Sequence, residues 1–138
     1  KIIVVDFDPE VVNKLSCNMG VTCLYGDVED EEIFNKLNID KASMLVSTIP
    51  DLKTNIFLIK TAKKMNSKIV VMVATGQTHE AFDLYGAGAD YVILPYVLGG
   101  DHSSLLIQKI DENPEHVRLL KEEHLRELKK KATFYSFF

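Results

Sequence analysis

Apolar and polar residues alternate along this chain in two different patterns. Short runs rich in Val, Ile, Leu and Met are separated by longer segments in which apolar residues recur every three or four positions. The first pattern is typical of strands and the second of amphipathic helices. Five strands are therefore predicted, each followed by a helix, in the segments KIIVVDF, VTCLY, SMLVSTI, KIVVMVA and DYVILP.

Capping residues and glycines mark where the helices begin and end. Asp8 followed by Pro9 predicts the start of the first helix, because Asp is a favoured N-cap and Pro a favoured first helical residue. Gly20 predicts its end. Further helices are predicted over about 29–37, from Pro50 and Asp51 to about 65, in THEAFDLYGAG, and from about 101 onward with a break at Asn113 and Pro114.

The predicted strands are near-continuous apolar runs, as expected for strands that are buried on both faces of a parallel sheet. Strands that alternate with helices predict an α/β fold with a doubly wound parallel sheet. We assign residues 1–100 to this domain and residues 101–138 to a C-terminal helical extension. A chain of 138 residues is long enough to bury a substantial core.

Composition and charge narrow the classes of function. The formal net charge of −4 argues against a nucleic-acid-binding surface, and the late basic residues are interleaved with acidic ones. Cys17 and Cys23 form no CxxC pair, so Cys23 in its strand is expected to be a buried free thiol. No stretch approaches 18 apolar residues, so neither a membrane span nor a signal peptide is expected here.

Polar residues follow the first two strands, at the sheet edge where open α/β sheets bind ligands. The carboxylate of Asp6 can accept hydrogen bonds from the vicinal hydroxyls of a ribose. The alternative for Asp6 is to cap the following helix, a role that Asp8 fits better. Gly26 and Asp27 follow the second strand, where an adenine edge would lie, but this pair is also an ordinary turn sequence.

Small residues follow the third strand. Ser47, Thr48 and the backbone of Ile49 are placed to line the same crevice, although Pro50 is equally a signal for the start of a helix. The acidic end of the first strand is typical of the second strand of a dinucleotide-binding Rossmann unit. We therefore expect a Rossmann-like sheet truncated at its first strand, as a segment of a longer protein. The GxGxxG loop that holds the pyrophosphate is also missing, so this segment is expected to lack most pyrophosphate affinity.

Three segments together resemble one family over residues 1 to about 100. VVDFDPEVV, YGDVEDEEIFNKLNIDKASMLVSTIPDLKTN and GAGADYVILP are similar to the RCK or TrkA-N (KTN) regulatory nucleotide-binding domain of potassium transport proteins. STIPDLKTN and LPYVLGG most resemble the Kef-type cation:proton antiporters. One departure lies at Ala74-Thr75-Gly76, where family members often carry an arginine.

The resemblance implies a cytoplasmic domain that binds NAD(H) or AMP, ADP or ATP in the intact parent and controls potassium or cation:proton transport. The implied partner is a membrane-embedded transporter or channel, on the same or a separate chain. The residues expected to contact the nucleotide are Asp6, Phe7, Gly26, Asp27, Val28, Ser47, Thr48, Ile49 and Asn55.

Two alternatives stay open at this point. One is a dimerisation module that binds no nucleotide in this truncated form, and the other is a fragment of an NAD-dependent oxidoreductase. We expect no enzyme, no catalytic residue and no metal, because His79 is the only histidine near a strand end and the tail is too short for a substrate domain. A homodimer is expected, because the tail carries an apolar stripe and ends in ATFYSFF.

Overall fold

The computed structural model describes residues 1–16 and 20–136. The chain forms two compact units: Lys1–Tyr25 together with the segment from Gly100 onward make the first, and Gly26–Gly99 make the second. The predicted α/β class is confirmed, since parallel strands alternate with helices and the C-terminal part is helical. The proposed boundary at residue 100 stays a prediction.

The first unit contains strand β1 (Ile2–Asp6), helix α1 (Pro9–Ser16) and strand β2 (Val21–Tyr25). The strands pair in parallel, with Ile2 opposite Val21 and Asp6 opposite Tyr25. Asp8 caps α1 as predicted, because its carboxylate accepts the Glu10 N–H at 2.8 Å. Cys17 and the residues just before the predicted helix end at Gly20 lie outside the described residues. Cys23 is a free thiol, but the expectation that it is buried is wrong, because it is only partly buried.

The second unit is built around three parallel strands in the order β3-β4-β5. Its strands and helices follow one another as α2 (Glu31–Lys36), a 3₁₀ helix (Ile39–Lys41), β3 (Met44–Ser47), α3 (Leu52–Met65), β4 (Val70–Ala74), α4 (Thr78–Ala87) and β5 (Tyr91–Ile93).

Helix α2 is shorter than predicted for local reasons at both ends. The carboxylate of Asp30 accepts the Glu32 N–H at 2.8 Å, which fixes the N-cap at residue 30. Asn38 adopts a left-handed conformation with φ of 52°, which ends the α-helical run and leads into the 3₁₀ turn.

The C-terminal helices are α5 (Pro95–Glu112) and α6 (His116–Ser136). The break between them at Asn113 and Pro114 is confirmed, and Asn113 Oδ1 accepts the Glu115 N–H at 3.1 Å. The prediction that the helical tail begins at about residue 101 is wrong, because α5 begins at Pro95, a residue suited to the first position of a helix. No helix in the described part of the chain has the length and apolar character needed to cross a bilayer.

The buried core lies in the second unit, where side chains of α3, α4 and the three strands pack together. The expectation that both faces of these strands are buried is wrong: Met44 and Val46 are each 52% exposed. Successive side chains of a strand point to opposite faces, and only the face that carries Leu45 and Ser47 packs toward the core. The core residues are Phe34, Ile39, Leu58, Ile59, Ala62, Ile69, Val71, Val73, Ala81, Leu84 and Val92.

Candidate functional site

The first unit places Asp6 at the carboxyl end of β1, where it is partly buried. Its Oδ1 accepts the Asp8 N–H at 2.8 Å, so the carboxylate shapes the turn that leads into α1. A carboxylate has two oxygens and about four acceptor positions, so this turn leaves acceptors for ribose hydroxyls. The neighbouring Phe7 is 77% exposed.

Gly26 and Asp27 form a turn at the start of the second unit. Gly26 has φ of 152°, and a Cβ atom there would lie 2.8 Å from the Ile33 side chain, so only glycine fits. Asp27 Oδ1 accepts the Glu29 N–H at 2.9 Å, and the Asp27 carbonyl accepts the Asp30 N–H at 3.1 Å. Asp27 is therefore a turn-forming residue whose carboxylate stays exposed, and its predicted adenine contact stays a prediction. Val28 is partly buried against the core.

The segment after β3 is stabilised by its own side chains. Ser47 is 5% exposed, and its hydroxyl accepts the Ile49 N–H at 3.3 Å. Thr48 is exposed, whereas Ile49 is partly buried. Of this predicted trio, Thr48 therefore has the side chain most open to a ligand, while Ser47 shapes the backbone.

Asn55, in the first turns of α3, is fully buried. Its Nδ2 donates to the carbonyl of Ile49 at 2.8 Å and to the carbonyl of Ala74 at 3.0 Å. The amide thereby ties the loop after β3 to the carboxyl end of β4. Among the described residues, its Oδ1 is buried without a hydrogen-bond partner. In this structure Asn55 therefore stabilises the loop after β3 and the carboxyl end of β4 through two hydrogen bonds.

Thr54 was not among the predicted site residues, yet it joins two of the candidate segments. Its hydroxyl Oγ1 lies 2.6 Å from Glu29 Oε1 and 2.8 Å from Asp51 Oδ1. Its backbone N–H also donates to Asp51 Oδ1 at 2.8 Å, which makes Asp51 the N-cap of α3. The backbone N–H of Thr54, the largest cause, holds the pKa of Asp51 below its ordinary value of 3.8.

The carboxyl end of β4 carries a second unpredicted group. Thr75 is 2% exposed; its hydroxyl donates to the Glu80 carboxylate and accepts the Gln77 N–H at 3.1 Å. These contacts join the end of β4 to the first turn of α4. The polar group after β4 is thus a neutral hydroxyl paired to a carboxylate, in the segment that departs from the arginine of the family pattern. A threonine three residues before the helix start was the available signal.

Parallel strands with polar turns at their carboxyl ends define this protein as a Rossmann-like α/β domain. The carboxyl ends of the strands are where such a domain binds ligands. The sequence model of the TrkA-N domain matches residues 1–95, and the chain belongs to that family. A relative, "Potassium channel protein 1" of Methanocaldococcus jannaschii, is 29% identical over 119 residues, which are 86% of this chain and 34% of that protein. The chain thus spans about a third of the length of this relative.

Solved structures share the fold. The TrkA-N domain of inner membrane protein ybaL from Escherichia coli has a TM-score of 0.69 at 21% identity, covering 75% of this chain and 76% of that one. A structure described as GsuK bound to ADP has a TM-score of 0.62 at 29% identity and covers 78% of this chain and 27% of that one. The GsuK channel bound to NAD has a TM-score of 0.61 at 28% identity and covers 83% of this chain and 19% of that one.

Proposed function

We propose that this chain is a cytoplasmic regulatory domain that binds NAD(H) or an adenine nucleotide and controls potassium or cation:proton transport by a membrane-embedded channel or transporter. The domain carries out no chemistry in this proposal. Nucleotide binding shifts its conformation, and the attached or associated membrane protein responds. A ligand can do this only through a difference in affinity between two conformations.

The observation that carries the proposal is Asp6 at the carboxyl end of a parallel strand. Such an end, in an open α/β sheet, is where nucleotides bind, and an acidic residue there accepts the ribose hydroxyls. One oxygen of Asp6 accepts the Asp8 N–H in the turn. This hydrogen bond orients the carboxylate and occupies only one of its acceptor positions.

The relatives support the same choice of ligand. The GsuK structures at 28–29% identity were solved with ADP and with NAD, and the archaeal relative is named as a potassium channel. An adenosine with a free 2′-hydroxyl is common to both ligands. We therefore propose that Asp6 holds that ribose and that Asp27, with Val28, lies along the adenine.

Calorimetry on the intact parent protein tests the proposal with three probes: NAD⁺, ADP and NADP⁺. NAD⁺ and ADP should bind more tightly than NADP⁺, because the negative Asp6 repels a 2′-phosphate. Asp6→Asn should weaken NAD⁺ by about tenfold to a hundredfold, since a hydrogen bond to a charged group contributes roughly 1.5–3 kcal/mol. Tighter binding of NADP⁺ than of NAD⁺ would contradict the assignment of Asp6.

Asp8→Asn is the matched control, because Asp8 is an acidic neighbour whose carboxylate caps α1. Asn also caps helices well, so this variant should keep both stability and nucleotide affinity. Equal losses of affinity in Asp6→Asn and Asp8→Asn would indicate a general charge effect and count against a ribose contact at Asp6.

Homodimerisation is the second part of the proposal and is supported by exposed apolar side chains. On α6, Leu119, Leu125 and Leu128 are each 44–55% exposed. Strand β3 pairs only with β4 among the described residues, so its other edge is unpaired. A second copy of the chain would cover such surfaces, whether or not nucleotide is bound.

A further inference from the structure

We propose that Thr54 is a positioning residue: its hydroxyl holds the turn formed by residues 26–30 against the N-terminus of α3 and so sets the affinity for adenine nucleotides. The affinity part of this inference rests on the proposed function. The structural part is that one hydroxyl fixes the turn. Hydrogen–deuterium exchange tests this part without any nucleotide.

The contact joins segments that are far apart in the sequence. Glu29 belongs to the turn that contains Gly26, Asp27 and Val28, and it lies 25 residues before Thr54. The Thr54 Oγ1 to Glu29 Oε1 distance of 2.6 Å is that of a short hydrogen bond from a hydroxyl to a carboxylate. In the part of the chain that the structure describes, no other hydrogen bond links a side chain of this turn to α3.

The number of available hydrogens shows which acceptor the hydroxyl serves. A threonine hydroxyl carries one hydrogen and can donate to one carboxylate at a time. Asp51 Oδ1 already accepts the Thr54 backbone N–H at 2.8 Å, so it does not depend on the hydroxyl. Glu29 Oε1 lies closer to the hydroxyl than Asp51 Oδ1 does, and we assign the hydrogen to Glu29.

The consequence reaches Asp27 through Glu29. The Glu29 N–H donates to Asp27 Oδ1 at 2.9 Å, while the Glu29 side chain is held by Thr54. Glu29 is thereby fixed at both its backbone and its carboxylate, and the orientation of the Asp27 carboxylate depends on it. Loss of the Thr54 hydroxyl would also leave two carboxylates, Glu29 and Asp51, facing each other without a donor between them, which is repulsive.

A purely structural role for Thr54 makes a different prediction. If the hydroxyl only capped α3, its removal would lower stability and leave the turn unchanged. However, the cap is made by Asp51 and the backbone N–H of Thr54, and neither needs the hydroxyl. Removing the hydroxyl should therefore loosen the turn more than it destabilises α3.

The experiment compares Thr54→Val, which removes only the hydroxyl, with Thr54→Ser, which keeps it. Thr61→Val is the matched control, because it makes the same change two turns further along α3. Hydrogen–deuterium exchange of the amides of residues 26–30 in the 138-residue chain should be about tenfold faster in Thr54→Val, since a charge-assisted hydrogen bond is lost. Thr54→Ser and Thr61→Val should exchange like the wild type.

Calorimetry with ADP on the intact parent supplies the second readout. Thr54→Val should bind ADP about fivefold to tenfold more weakly, with the melting temperature nearly unchanged. In a Glu29→Ala background the same change should have little further effect, because both substitutions break one contact.

Unchanged exchange in Thr54→Val, or a Thr54→Ser variant that behaves like Thr54→Val, would overturn the structural part. An unchanged ADP affinity despite faster exchange would overturn the affinity part alone. A wild-type parent that binds neither ADP nor NAD⁺ would contradict the proposed function, while the exchange result would still decide whether Thr54 holds the turn.

Discussion

The two units of this chain differ in how well their apolar side chains are covered. In Gly26–Gly99, eleven apolar residues form a buried cluster, and Ile59, Val71, Val73 and Leu84 have no exposed surface. In the other unit, residues 1–16, 20–25 and 100–132 include no buried residue: each is partly or fully exposed.

This difference follows from how many layers each unit provides. The three strands β3, β4 and β5 have α3 and α4 on one face, so a sheet and helices bury a common core. A two-stranded sheet with one short helix offers too little apolar area for independent stability. We infer that Gly26–Gly99 supplies most of the folding free energy and that the other unit depends on further burial.

The largest expected effect is on molecular mass. If a second copy covers the exposed apolar residues of α6, light scattering at tens of micromolar should give about twice the chain's 15.6 kDa. The double change Leu125→Lys with Leu128→Lys should return the mass to that of a monomer, since both side chains are nearly half exposed and apolar.

Glu122→Gln with Glu123→Gln is the matched control for this test. It changes the charge of the same helix by the same amount but leaves the leucines in place. The control should stay dimeric. A wild-type chain that is a well-behaved monomer at these concentrations would show that α6 needs no second copy.

The next prediction compares the loss of stability when one leucine is truncated in each of the two units. Leu84→Ala, at a position with no exposed surface, should lower the free energy of unfolding by about 2–5 kcal/mol. Leu24→Ala in β2, which is only partly buried, should cost about 1 kcal/mol, because less area is lost. Urea titrations followed by circular dichroism measure both. Equal costs would contradict the inferred difference between the units.

Local signals in the sequence predicted much of this fold. Asp8 and Asp51 act as N-caps where an acidic residue precedes a helix start, and Gly88 ends α4 with φ of 109°. The parallel direction of β3, β4 and β5 was predicted from the alternation of strands and helices. The helix caps depend on residues within one or two turns, and so can be read along the chain.

Features that depend on distant residues could not be predicted in the same way. Thr54 and Glu29 are 25 residues apart, and no periodic pattern links them. Asn55 was found through the family resemblance, but its burial and its two backbone acceptors require the position of β4. The exposure of Val46 was missed because an apolar run is also typical of strands that have one open face.

A smaller effect is expected where the second unit begins. Gly26→Ala should cost about 1–3 kcal/mol, because Cβ would lie 2.8 Å from the Ile33 side chain and φ is positive. Gly86→Ala is the control: nothing lies within 4 Å of that Cβ, so it should stabilise α4 by about 0.5–1 kcal/mol. Thermal unfolding measures both variants.

The overlap and the backbone strain at Gly26 can be separated. Adding Ile33→Ala removes the atoms that a Cβ would meet, while φ stays positive. If the overlap dominates, Gly26→Ala should cost less in the Ile33→Ala background than in the wild type. If Gly26→Ala costs the same in both backgrounds, the whole effect comes from the backbone conformation at residue 26.

The smallest effect concerns an ion pair at the other end of β4. Lys63 Nζ lies 2.6 Å from Asp90 Oδ2, which also accepts the Val71 N–H at 2.6 Å. The Lys63 ammonium first, and then the Val71 N–H, hold the pKa of Asp90 below its ordinary value of 3.8. Because the folded pKa is depressed, the pair stabilises the fold above about pH 4 and this contribution is lost as the pH falls further.

Lys63→Met tests the direction of this pH dependence of stability. Partly exposed pairs contribute about 0–1 kcal/mol, so the variant should lose at most about that amount at pH 7. Urea titrations between pH 7 and pH 3 should then show a smaller loss of stability in Lys63→Met than in the wild type. Without the ammonium of Lys63, protonation of Asp90 removes less stabilising interaction. Lys64→Met, the exposed neighbour on α3, should follow the wild-type curve. A Lys63→Met curve parallel to the wild type would mean that the Val71 N–H alone sets the pKa of Asp90.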